Sequence, residues 1–141
     1  METTFDFERD IKRKVHKFSY FAYGEASVHF LTLSKALTAL EGMYDYARNA
    51  FIGAPNKVEL ENASQDVQEK FEELLAYFGG SVARIKACGN KDVQKHIHLL
   101  EEAYTSLQNY AEAVQKAGES VGMASLEERP YTIGVSTNVN G

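Results

Sequence analysis

An all-α fold, an up-down four-helix bundle, is what this sequence predicts, and three observations predict it. Apolar residues recur at steps of three and four along most of the chain, the spacing that lines side chains up on one helix face. The prolines are only two, Pro55 and Pro130, so helices can run long between them. The apolar runs are joined by short turns bearing Gly and Asn, which favour antiparallel packing of sequence neighbours. A long helical hairpin whose faces are completed by oligomerisation satisfies the same pattern.

The first helix is expected over residues 4–23, where Phe7, Ile11, Val15, Phe18 and Ala22 share a face and Gly24 offers a stop. The second carries the clearest pattern, Ala26, Phe30, Leu33, Leu37, Leu40, Tyr44, Ala47 and Phe51, a heptad seam. A flanking row of Ala36, Ala39, Met43, Tyr46 and Ala50 widens its apolar face, so this helix is expected to touch two or more neighbours before Gly53 and Pro55 end it. Asn56, with Glu59 three residues on, reads as the cap of a third helix running through Val67, Phe71, Leu74, Phe78, Val82 and Ile85. The pair Gly79-Gly80 inside it marks a kink, a break or a close backbone approach, and the apolar phase persists across the pair. Gly89 then stops one helix and Asn90 caps the next, whose seam is Val93, Ile97, Leu100, Tyr104, Leu107, Ala111 and Val114, flanked by Leu99, Ala103, Tyr110, Ala113 and Ala117. After Gly118 the pattern stops; Ser125 to Glu128 suits a single capped turn before Pro130.

The 141 residues amount to one domain, with 1–122 as the helical domain and 123–141 as a short turn and an extended C-terminal arm. That arm, YTIGVSTNVNG, has no charged side chain and favours extended backbone, as a segment that pairs with a partner's sheet edge does. A domain of this size buries about two-thirds of its unfolded surface, enough for a core without disulfides, and the single cysteine, Cys88, cannot form an internal bridge. A formal charge of -5 argues against general nucleic-acid binding, which relies on cations neutralising phosphates. No apolar run approaches the ~20 residues of a transmembrane helix, and the N-terminus METTFDFERD lacks the order of a secretory signal, so a cytoplasmic protein is the default expectation.

Motifs for catalysis are missing from the sequence: it has no Gly-x-Ser-x-Gly elbow, no phosphate-binding loop and no dinucleotide fingerprint. Nor does it contain the Glu-x-x-His pairs of di-iron bundles, and no resident cofactor is expected. Of the histidines, His98 falls on the polar row beside Glu101 and Glu102, and His16 sits among lysines; solvation accounts for both. Glu25 and His29, four apart at the border of the apolar face, are the pair placed to hold a metal if one is bound. Cys88 reads as a small residue packed at a helix end.

Charge is unevenly spread. Residues 9–17 hold Arg9, Lys12, Arg13, Lys14 and Lys17 against Asp10, whereas 59–73 hold Glu59, Glu61, Asp66, Glu69, Glu72 and Glu73 against Lys70. A basic helix lying against this acidic one within the fold, or charge that is merely solvated, is expected. Phe18, Tyr20, Phe21 and Tyr23 crowd the end of the first helix, more than one side of a helix can bury, so some tyrosine remains exposed for contact. The function these features predict is a non-enzymatic protein-protein interaction module, a structural or adaptor subunit that binds a protein partner or a second copy through Tyr20, Phe21, Tyr23, Tyr131, Ile133, Val135 and Val139. A metal- or small-ligand-binding helical bundle and a small acidic regulator or inhibitor of one target protein are the alternatives.

Overall fold

The computed structural model describes residues 6–128 of the chain, and no strand occurs among them, so the protein is all-α. The arm residues Tyr131, Ile133, Val135 and Val139 lie outside the described residues. A π-helical segment, Glu8–Lys12, leads directly into α1, Arg13–Ser19; then follow α2, Glu25–Gly53, α3, Lys57–Lys86, α4, Lys91–His96, and α5, His98–Glu128. None of these helices is long and apolar enough to cross a membrane.

Each boundary has a local cause. At the start, Asp6 Oδ1 accepts from the Arg9 N–H (3.1 Å) while the Asp6 N–H donates to Asp10 Oδ2 (3.1 Å), a reciprocal pair that satisfies two otherwise orphaned donors. Gly24, at φ 65, stands at the start of α2 rather than at the end of α1: its carbonyl accepts from both the backbone N–H and the hydroxyl of Ser27. The α1 helix ends earlier than its apolar row suggests, at Ser19. Asn56 caps α3 through the Glu59 N–H (2.9 Å), and Asn90 caps α4 through the N–H groups of Asp92 (2.8 Å) and Val93 (3.3 Å). Because Asn90 serves two donors, Asn90→Ala is expected to cost about 1 kcal/mol in urea unfolding, with helix content intact. A loss near zero would show that water satisfies these donors equally well.

Two expectations about continuity are corrected. The fourth apolar segment is not one helix: Ile97 separates α4 from α5, its carbonyl shared between the N–H groups of Leu100 (3.0 Å) and Glu101 (3.1 Å). And α5 does not stop at Gly118 but runs on to Glu128, because Gly118 and Gly122 are packing positions inside it.

The chain divides into two compact units. Among the described residues, the first comprises 6–43 and 71–112. Its interior is filled by Ile11, Val15 and Phe18 of the N-terminal segment, Ala26, Leu33 and Leu40 of α2, Phe78 and Ile85 of α3, Val93 of α4, and Leu100, Ala103 and Leu107 of α5. Rings order these contacts: Phe18 stacks on Phe30 (centroids 6.0 Å), Phe78 on Tyr104 (6.0 Å), and Tyr110 meets Phe7 and Phe71 edge-on. The helix α3 passes through Gly79-Gly80 without a break, and Gly79 is a close approach, since a Cβ there would lie 2.9 Å from the Tyr104 ring. The basic N-terminal helix finds acids on α2 and α5, with Lys12 Nζ 3.3 Å from Glu41 and Lys14 Nζ 3.1 Å from Glu102.

The second unit comprises 44–70 and 113–128. Phe51, fully buried, lies over Gly118, and Leu60 lies over Gly122; a Cβ at those glycines would fall 2.3 Å and 2.6 Å from the facing side chains. A part-buried polar cluster ties α3 to α5: Gln115 Nε2 donates to the Ser64 carbonyl (2.9 Å) and to Glu119 Oε2 (3.2 Å), while the Ser64 hydroxyl donates to Glu119. One seam position and one flanking position are corrected here. Tyr44 is 53% exposed, and Tyr46 of the flanking row stands in solvent with Lys70 Nζ 5.9 Å above its ring.

Candidate functional site

One end of the first unit gathers the aromatic and metal-ligating side chains. The Tyr20-to-Gly24 connection and the first turns of α2 meet the turn between α3 and α4, and three contacts fix them together. Tyr23 donates its hydroxyl to the Asp92 carboxylate. Phe21 lies flat on the His96 ring, with centroids 3.6 Å apart and planes 4° from parallel. Glu25 and His29, one turn apart on α2, bring their donor atoms within 4.8 Å of each other and of the Cys88 sulfur.

These neighbours explain the electrostatics. The Tyr23 phenol is pushed above its usual range, chiefly because it donates to Asp92, then by desolvation and by the charge of Asp92, with a hydrogen bond from Asn90 opposing. The Cys88 thiol is pushed up by burial first and by the Glu25 carboxylate second. Its S–H donates to the Arg84 carbonyl at 3.4 Å. The His96 Nδ1 sits 2.9 Å from the Asp92 carbonyl, which orients the ring beneath Phe21.

Of the contact residues expected from sequence, Tyr20 is 70% exposed and Tyr23 49%, whereas Phe21 is half-buried with one face covered by His96. Val28 and Leu31, three apart on α2, add 64% and 59% exposed aliphatic side chains that no periodicity singled out, because they fall outside both apolar rows. Glu25 and His29 do share a helix face, and Cys88 completes a group that sequence spacing alone does not bring together. Its position before the Gly89-Asn90 turn was legible, but its neighbour across the turn was not.

Two surface depressions lie among the described residues of the second unit. One, about 60 Å³, is lined by Tyr44, Arg48, Phe51, Val114, Ala117, Gly118 and Val121; the other, about 250 Å³, lies beside Pro55 and Asp66. Both fall below the ~300 Å³ at which small-molecule pockets typically begin. Compared with protein-family models, curated proteins and solved structures, the chain matches none.

Proposed function

We propose that this protein is a non-enzymatic helical interaction module, a structural or adaptor subunit of a cytoplasmic assembly, built as an up-down four-helix bundle. The observation that carries this reading is the exposure of Tyr20, Tyr23, Val28 and Leu31, all within the Tyr20-to-Leu31 stretch of the first unit. Isolated exposed apolar residues need no explanation, but large ones concentrated in a short stretch suit a contact surface that a partner covers. Burying a Val or Leu side chain is worth roughly 1.5–3 kcal/mol each, and tyrosine adds a rigid ring with a polar tip. The mechanism is exclusion of water from this face, with the arm residues Tyr131, Ile133, Val135 and Val139 adding extended-chain pairing.

Self-association is the form of this proposal tested first. By light scattering on a sizing column, the full chain is expected to run as an oligomer, and the double substitution Val28→Asp with Leu31→Asp to run as a folded monomer. Stopping the chain after Arg129 separates the arm from the helix face: dissociation there too assigns the arm a share of the contact. A full chain that stays monomeric as concentration is raised would rule out the second copy as partner.

A further inference from the structure

We infer that Glu25, His29 and Cys88 form a zinc-binding site, with the fourth coordination position open to solvent. The inference goes beyond the interaction reading and stands independently of it.

The donor set is the first argument. A thiolate, an imidazole and a carboxylate supply S, N and O, a mixture that suits Zn2+ and not Mg2+ or Ca2+, which take oxygen donors. Elsewhere in the described chain the carboxylates near a histidine have other work: Glu101 and Glu102, which follow His98, pair with Lys86 (3.0 Å) and Lys14 (3.1 Å). Among the described residues no lysine or arginine pairs with Glu25, and its carboxylate lies within 4.8 Å of the Cys88 sulfur instead.

Geometry is the second. Donor atoms bound tetrahedrally at about 2.0–2.3 Å from zinc lie roughly 3.3–3.7 Å apart, and these three lie within 4.8 Å of one another. Closing the difference takes movements of about an ångström at side chains with room to make them, because Glu25 is exposed and both His29 and Cys88 are half-exposed. The scaffold holds their backbones: Glu25 and His29 are one turn apart on α2, and Cys88 is fixed by its N–H to the Ile85 carbonyl (3.0 Å) in the turn after α3. What zinc binding breaks is the weak S–H bond to Arg84.

Charge is the third. With Zn2+ bound, the two anionic donors balance the ion, the imidazole adds no charge, and the thiol proton leaves to solvent. Three protein donors leave one position for water or for a donor on a docked partner.

The test uses the full, untagged, reduced chain, with Zn2+ titrated in competition with a chromophoric chelator and Co2+ as a spectroscopic stand-in. One Zn2+ per chain is expected, with a cobalt-thiolate charge-transfer band in the near ultraviolet. Glu25→Gln, His29→Gln and Cys88→Ser should each weaken zinc by roughly tenfold or more, Cys88→Ser should abolish the band, and His98→Ala should change neither. Far-ultraviolet circular dichroism of each variant confirms the helices. No uptake at micromolar zinc, or affinity unchanged by any one of the three donor substitutions, overturns the site.

Discussion

Phe51→Ala should cost about 3–5 kcal/mol of stability, and Gly118→Ala made on top of it should return part of that loss instead of adding to it. Phe51 is fully buried, so truncation removes its transfer free energy and leaves a cavity that helices cannot close by side-chain motion alone. The wall of that cavity is the bare backbone of Gly118, where a Cβ would lie 2.3 Å from the Phe51 ring. Gly118→Ala alone therefore sets two effects against each other. Helix propensity favours alanine by about 1 kcal/mol, while overpacking a buried ring costs about 1–3 kcal/mol. The ring is enclosed and the overlap is with its edge, so the steric cost wins and the single variant is destabilised. In Phe51→Ala the overlap disappears and only the propensity gain remains. Urea unfolding of the two single variants and the double variant gives the coupling directly. Additive losses would mean that α2 and α5 shift apart at this point and that the glycine is not required by the ring.

The same glycine shows where sequence reading stopped short. Gly53, Asn56, Gly89 and Asn90 were legible as boundaries because their signal is local: an Asn carboxamide caps donors two or three residues away, and the structure places those bonds at Asn56 and Asn90. Gly118 and Gly122 carry the same residue type with a different cause, a ring and a leucine brought over them from distant segments, so they read as an ending when they are contacts. Gly79-Gly80 fell between the two cases. The unbroken apolar phase around the pair pointed to a continuing helix, and close approach was among the readings, but nothing local named Tyr104 as the side chain lying there. The candidate site divides likewise. Glu25 and His29 share a face by spacing alone, whereas Cys88 joins them only because the α3–α4 turn packs beside α2, and so its thiol read as structural.

Phe78→Ala and Tyr44→Ala should differ by about 3 kcal/mol or more, although both positions belong to apolar rows and Tyr44 sits in the more regular of the two. Phe78 is fully exposed to neighbours and not at all to water: its ring stacks on Tyr104 at 6.0 Å, and its truncation is expected to cost about 3–5 kcal/mol. Tyr44, 53% exposed, should change stability by no more than about 0.5 kcal/mol. The wheel position of Tyr44 is not at fault, since Leu40, Ala47 and Phe51 on the same stripe are all fully buried. What differs is the opposing surface. The α5 residues that line the cleft with Tyr44 are Val114, Ala117, Gly118 and Val121, none of them large, and the ring is left at a depression of about 60 Å³. Periodicity says which face of a helix turns inward; how much of that face is covered depends on the volume supplied from the other side. Equal losses at the two positions would show that the cleft is closed in solution and that Tyr44 is a core residue after all.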